Sequence, residues 1–185
     1  MKKIGLFGGS FDPIHKAHVE IAMCAIEQLQ LDEVQFIPTR HNPWKNQSCA
    51  NAKERLHMIH LAIQGNDKLT VNTIELDDDQ NQKNYTIHTL EKIIEKHPNN
   101  KYYYIMGMDQ ANAFDKWKKA KKISNLVQLV AFQRGGYEPL LDVLNQYHFL
   151  VLNNRPVYAS SSDVRQGHIE MLNPHVLRYI SSQGL

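Results

Sequence analysis

The sequence has few of the features that mark secreted, membrane-spanning or nucleic-acid-binding proteins. Only two of its 185 residues are cysteines. Cys24 lies in an apolar helical stretch, where it is predicted to be part of the core, and Cys49 lies in a polar loop. This placement gives little support for a disulfide and predicts a cytoplasmic, reducing location.

The formal net charge is only +2, which gives no argument for a nucleic-acid or membrane-surface partner. No run is long and apolar enough to span a bilayer, and the N-terminus lacks the apolar segment of a signal peptide.

Short apolar runs instead alternate with amphipathic helical patterns along the chain. Apolar residues make up 42% and charged residues 22% of it, as is usual for a globular protein, and the length suits one domain with a full core. Strands are predicted at 3–7, 33–38, 69–76, 102–106, 126–132 and 148–152. Helices are predicted at 18–29, 52–64, 85–96, 109–117, 139–146 and 174–179, with a helical turn at 160–165.

This alternation predicts an α/β fold with a Rossmann-like, doubly wound, mostly parallel sheet and helices on both faces. We expect one domain over residues 1–185, ending in a helical segment from about 160 to 185. Ligands of such sheets bind beyond the carboxyl ends of the strands. Three candidate motifs fall there, after Phe7, Met106 and Leu152, so the sequence predicts one site at one rim of the sheet.

The first motif runs from Gly8 to His18 and reads GGSFDPIHKAH. Its glycines let the backbone approach a ligand closely, and a helix start offers N–H groups to phosphate. His15 and His18 share a face of that helix start and can donate hydrogen bonds to phosphate oxygens, more strongly if protonated. The dinucleotide fingerprint and the lysine-containing phosphate loop are both absent. A turn with a satisfied histidine pair is the plain alternative, and a metal site is weakly supported without further Cys or carboxylate ligands.

The second motif, Ala159 to Arg165, reads ASSSDVR. Consecutive hydroxyls at a helix start can cap the helix and donate to phosphate, and Arg165, one turn further on, can reach a phosphate with its planar fork. Taken alone, this stretch is adequately explained as an ordinary serine N-cap.

Together the two motifs resemble those of the adenylyltransferases related to class I aminoacyl-tRNA synthetases. The first is similar to Gly-Gly-(Ser/Thr)-Phe-Asp-Pro-x-His-x-Gly-His, with Ala17 where the family usually has Gly. The second is similar to Ile-Ser-Ser-Thr-x-Ile-Arg. Residues 84–90 resemble the (Ser)-Tyr-Thr-x-x-Thr-Leu segment of nicotinate-nucleotide adenylyltransferases, and the resemblance to that family extends from residue 3 to about residue 180. It implies the nucleotidylyl transferase fold and transfer of the adenylyl group of ATP to nicotinate mononucleotide, in NAD biosynthesis.

The resemblance also implies roles for individual residues, carried over by motif position. The implied catalytic residues are His15, His18, Lys45 and Arg165. The implied ATP-binding residues are Gly8, Gly9, Ser10, Phe11, His15, His18, Gly107, Asp109, Arg134, Ser160, Ser161 and Arg165. The implied nicotinate-nucleotide-binding residues are Ser10, Lys45, Tyr85, Thr86 and Trp117. Lys118 departs from the family, which often has Tyr after that Trp.

The implied chemistry needs positioning and preorganised positive charge more than a base, and we expect His15, His18, Lys45 and Arg165 to supply that charge. A nucleotide 5′-phosphate has a second pKa of about 6, so it is largely a dianion at neutral pH and can attack without help. Mg²⁺ is expected as a bridge between ATP oxygens, which needs no carboxylate cage. The expected partners are ATP and nicotinate mononucleotide, with no nucleic acid or membrane, and the chain is expected to be a monomer or homodimer.

Several alternatives remain open at this stage. The chain could be another adenylyltransferase of the superfamily, acting on nicotinamide mononucleotide or on pantetheine phosphate. It could also be a non-catalytic nucleotide-binding module on the same fold, or a histidine-rich metal-binding protein.

Overall fold

The computed structural model describes residues 1–40, 50–78 and 85–185, and the strands in these ranges form a single sheet. They are β1 (Lys3–Gly9), β2 (Glu33–Pro38), β3 (Leu69–Val71), β4 (Lys101–Gly107), β5 (Gln128–Phe132) and β6 (Leu150–Val151). The spatial order is β3-β2-β1-β4-β5-β6, and every pairing is parallel. The predicted doubly wound parallel sheet is therefore confirmed.

Helices cover both faces of this sheet. They are α1 (Lys16–Leu29), α2 (Ala52–Ile63), α3 (Thr86–Lys96), α4 (Met108–Asn112), α5 (Ala120–Leu126), α6 (Leu141–Gln146), α7 (Ser161–Arg165) and α8 (Pro174–Gln183), with 3-10 turns at Phe114–Lys116 and Ile169–Met171. Residues of α1, α2 and α8 pack in one apolar core, which Cys24 contacts as a partly buried residue. Residues of α3, α4, α5 and α6 pack in the other. None of the described helices is long and apolar enough to cross a bilayer.

Besides shifts at the ends of other elements, such as α8, which runs to Gln183 rather than 179, the structure differs from the predicted elements in three places. The strand predicted at 69–76 ends at Val71, because the Asn72 side chain accepts a hydrogen bond from the N–H of Ile74 and turns the chain. The helix predicted at 109–117 is divided into α4 and a 3-10 turn, and α5, which the sequence did not predict, begins after Lys119 in the left-handed region with φ 56°. The last strand is shorter than the predicted 148–152.

The topology places one crevice at the centre of the sheet. From β1 the chain crosses through α1 to β2 on one side, and from β4 it crosses through α4 to β5 on the other. Neighbouring strands whose connections leave in opposite directions open a gap at their carboxyl ends, where ligands of such sheets bind. Gly9 and Gly107, the last residues of β1 and β4, lie at this gap.

Candidate active site

A cavity of about 560 Å³ opens at the carboxyl ends of β1 and β4. The three motifs singled out in the sequence all contribute to its wall. The lining residues include Gly8, Gly9, Ser10, Phe11, His15, Ala17 and His18 from the first motif, Met106, Gly107 and Asp109 from the end of β4, and Ala159, Ser160, Ser161 and Ser162 from the second motif. The convergence expected from the strand order is therefore present.

The two histidines of the first motif form a stacked pair at the start of α1. Their ring centroids are 3.7 Å apart with an interplanar angle of 23°. The backbone N–H of His15 donates to Nδ1 of His18 over 3.1 Å. Because Nδ1 of His18 is an acceptor, the proton of the neutral imidazole lies on Nε2, which fixes the tautomer. His18 therefore presents an N–H donor rather than a lone pair on its Nε2 side.

The surroundings of both imidazoles favour the neutral form at pH 7. Burial first, and the charge of Arg134 second, lower the pKa of His15 to about 4 against the raising effect of Asp163. Burial also holds the pKa of His18 well below 6.5, helped by His15 and Arg134. The sequence led us to expect positive charge from both histidines. The structure instead favours neutral imidazoles that offer N–H donors.

The low pKa of His15 predicts that stability falls in mild acid. Between about pH 6.5 and 4 the unfolded chain binds a proton that folded His15 does not, so lowering the pH through this window favours unfolding. The shift from 6.5 to about 4 corresponds to a loss on the order of 3 kcal/mol. Urea unfolding at a series of pH values should show this loss in the wild type and a shallower one in His15→Asn. Equal slopes for both proteins would contradict the assignment.

Hydrogen bonds join the second motif directly to the first. Ser160 caps α7: its Oγ accepts from the N–H of Asp163 over 3.1 Å. Ser161 Oγ donates to the carbonyl of Pro13 over 2.9 Å. Arg165 donates to the carbonyl of Asp12 and, over 3.0 Å, to Ser162 Oγ. Arg165 is not among the described residues that line the cavity, so its observed contacts are within the protein, and phosphate binding by this side chain stays a prediction.

An ion pair borders the cavity beyond the ends of β4 and β5. Arg134 donates to Asp109 over 2.8 Å and lies 5.7 Å from the centroid of the Tyr137 ring. A Cβ at Gly107 would lie 2.6 Å from Asp109 Oδ1, so any side chain there would displace the carboxylate. Glycine at the end of β4 therefore leaves room for this carboxylate, and both members of the pair line the cavity as the sequence led us to expect.

Another part of the cavity wall is made of aromatic and hydroxyl side chains. Thr86 and Trp117 lie there as predicted, together with Tyr104, whose ring meets Trp117 edge-on with centroids 6.2 Å apart. Tyr85 is 38% exposed and, among the described residues, is not part of the lining. Lys118 places its Nζ 4.0 Å from the centroid of the Tyr85 ring, so this departure from the family pattern packs outside the cavity. Lys45 lies outside the described residues.

Three polar residues of this region, of which Tyr104 and Arg55 are buried and Glu75 is partly buried, were not found from the sequence. Glu75 and Tyr104 line the cavity, and Arg55 supports it from α2. Burial raises the pKa of Tyr104 to about 12, despite its hydrogen bond with Thr86. Arg55 is 3% exposed. Met58 and Ile59, one turn further along the apolar helical pattern, are buried, and this spacing could have indicated that Arg55 is buried as well. Nothing in the sequence around Glu75 distinguishes it from the acidic residues that follow.

A metal-binding alternative would depend on the histidines of the first motif. His15 and His18 are stacked on each other, and Nδ1 of His18 is occupied by the N–H of His15. No group of three or more His, Cys, Asp or Glu side chains in residues 1–40, 50–78 and 85–185 is placed to hold a metal ion.

Known proteins are similar to this chain over nearly its whole length. Residues 6–167 match the family model described as Cytidylyltransferase-like. A protein of Bordetella petrii is 37% identical over 202 residues, covering 100% of this chain and 99% of its own length. One of Halalkalibacterium halodurans is 36% identical over 193 residues, covering 100% and 91%. Both are named probable nicotinate-nucleotide adenylyltransferases.

A solved structure shares the fold across the whole chain. The Plasmodium falciparum nicotinic acid mononucleotide adenylyltransferase complexed with NaAD superimposes with a TM-score of 0.85 at 21% identity, covering 100% of this chain and 97% of that one. The sheet order, the site and the level of identity to full-length relatives lead to one conclusion. This chain belongs to the nicotinate-nucleotide adenylyltransferase family.

Proposed function

We propose that this chain, acting as a single domain over residues 1–185, transfers the adenylyl group of ATP to nicotinate mononucleotide, giving nicotinate adenine dinucleotide and pyrophosphate. The observation that carries the proposal is the attachment of the second motif to the first beside one cavity, through Ser161 to Pro13 and Arg165 to Asp12. This attachment brings hydroxyl and N–H donors from two distant segments to one place, as a triphosphate requires.

The reaction is an in-line displacement at the α-phosphorus of ATP. An oxygen of the mononucleotide phosphate bonds to that phosphorus while the bond to the bridging oxygen of pyrophosphate breaks. The attacking phosphate is already a dianion, so the protein's task is to align two polyanions and stabilise the charge that develops. Donors for this are His18 Nε2–H, His15 and the backbone near Ser10, with Lys45 and Arg165 as the proposed cationic groups.

Mg²⁺ would enter as part of the MgATP substrate. Phosphate oxygens and water would hold most of its coordination positions. We place the reaction in the cytoplasm, with ATP and nicotinate mononucleotide as the partners and a monomer or homodimer as the assembly.

The pyridine ring is assigned to the Trp117 end of the cavity. Thr86 is the first residue of α3, and the N–H groups at a helix start carry partial positive charge. This environment favours the carboxylate of nicotinate over the neutral amide of nicotinamide. The Trp117 indole supplies an aromatic surface beside it.

Pyrophosphate release with three acceptors tests the function. Purified protein and MgATP are incubated with nicotinate mononucleotide, nicotinamide mononucleotide or 4′-phosphopantetheine, and the dinucleotide product is identified by mass. We expect kcat/KM for nicotinate mononucleotide to exceed that of either alternative at least about tenfold, since one charge contact at a helix start contributes roughly 1–2 kcal/mol. A higher value with either alternative acceptor, or no pyrophosphate with any of the three, would refute the proposal.

A further inference from the structure

We propose that Glu75 sets the preference between an anionic and a neutral substituent on the pyridine ring, and that protonation of its carboxyl group is required for tight binding of the nicotinate carboxylate. This inference rests on the proposed function and concerns the same cavity. It adds a specificity-determining residue that acts through its charge state.

The position of Glu75 supports this role. Its side chain lines the cavity beside Thr86, Tyr104 and Trp117. Glu75 Oε1 accepts a hydrogen bond from Thr89 Oγ1 over 2.9 Å, and Thr89 lies in the first turns of α3. The carboxyl group is therefore held at the same helix start that is assigned to the substrate carboxylate. Two carboxylates held at one helix start repel each other, so binding of the second is favoured when the first is neutral.

The surroundings of Glu75 place its titration in the physiological range. Burial raises the pKa of Glu75 to about 7, although the hydrogen bond from Thr89 lowers it. Ionisable side chains also lie near it on its own segment and on the adjoining elements. They include Tyr104 on β4, with a pKa raised to about 12, Asp77 bonded to Thr73, Asp78 paired with Lys92, and His88 paired with Glu91 on the exposed side of α3.

Charge at Glu75 should therefore decide which mononucleotide the cavity accepts. Below about pH 7 the carboxyl group is mostly protonated, so the nicotinate carboxylate can bind at the helix start without repulsion from Glu75. Above that pH the ionised carboxylate occupies the positive end of the helix, which penalises nicotinate and leaves the neutral amide unaffected. Selectivity for nicotinate over nicotinamide mononucleotide should fall as the pH rises.

The test compares the ratio of kcat/KM for the two mononucleotides between about pH 6 and 8.5. Both substrates carry the same phosphate, so its titration cancels in the ratio. The ratio should fall about tenfold across this range in the wild type, as expected for two interacting carboxylates. It should be nearly constant in Glu75→Gln, which keeps an oxygen to accept from Thr89. The matched control is Glu91→Gln, an exposed acid on α3 paired with Lys122, which should behave as the wild type.

Binding calorimetry in buffers of different ionisation enthalpy gives a second readout. Near pH 7.5, the wild type should take up more protons on binding nicotinate mononucleotide than on binding nicotinamide mononucleotide, and Glu75→Gln should show no such difference. Selectivity ratios that fall in parallel in wild type and Glu75→Gln, or equal proton uptake in both proteins, would overturn the role of Glu75 while leaving the proposed function intact. Absence of turnover with nicotinate mononucleotide at every pH would overturn the proposed function and, with it, this inference.

Discussion

His18→Ala should lower the turnover number on the order of 10²- to 10³-fold, as loss of one preorganised donor to a developing charge does, with only a modest loss of ATP affinity. The N–H of His15 donates to Nδ1 of His18, so the neutral ring has its hydrogen on Nε2. Stacking on His15 and edge contacts with Phe7 and Phe11 hold the ring in place. A donor fixed in this way contributes most where charge develops in the transition state, and less to the ground-state complex.

Two further variants separate loss of the donor from loss of packing. His18→Gln places an amide N–H near the former Nε2 and should recover part of the turnover. His60→Ala removes an exposed histidine from α2 and should have no effect. The measurement is single-turnover formation of the dinucleotide, which reports chemistry separately from product release. Turnover within twofold of the wild type for His18→Ala would show that His18 does not stabilise the transition state.

The sequence predicted the framework of this molecule because its signals are local. The apolar run from Ile4 to Phe7 ends at glycines and is followed by an amphipathic helix, β4 also ends at a glycine, and β2 is followed further along the chain by α2. Alternation of strands and helices predicts a parallel sheet covered on both faces, because β-α-β crossovers place helices on each face. The rim that gathers the motifs then follows from the strand order.

Features that depend on contacts between distant segments could not be predicted in the same way. The protonation state of His15 and His18 depends on their burial and on Arg134, which is more than a hundred positions away in the chain. The motif around Arg165 predicts a phosphate contact, yet its guanidinium donates a hydrogen bond to the carbonyl of Asp12. Glu75 belongs to an acidic stretch and becomes distinctive only because the chain turns at Asn72 and places it against α3.

Arg55→Met should destabilise the folded protein by about 3–5 kcal/mol, which is the usual cost of removing one member of a buried charged network. Arg55 is 3% exposed. Its guanidinium donates to the carbonyls of Ser10 and Thr39 over 2.7 Å each and to that of Arg40 over 3.2 Å. Methionine fills a similar volume but donates nothing, so these carbonyls lose their partner and the buried Asp12 loses a nearby positive charge.

The same substitution should also reduce activity under conditions where the variant remains folded. Arg55 links the backbone at Ser10, in the first motif, to the end of β2 at Thr39, so its loss frees the first motif beside the cavity. Urea unfolding measures the stability, and kcat at low temperature measures the activity of the folded fraction.

Arg55→Lys retains the positive charge but not the planar guanidinium, and its stability and activity should fall between those of the wild type and Arg55→Met. Arg178→Met, an exposed arginine on α8, is the matched control and should change stability by less than about 0.5 kcal/mol. The prediction is wrong if Arg55→Met lowers the free energy of unfolding by no more than Arg178→Met does. Water would then replace the guanidinium at no cost, and the first motif would keep its shape without Arg55.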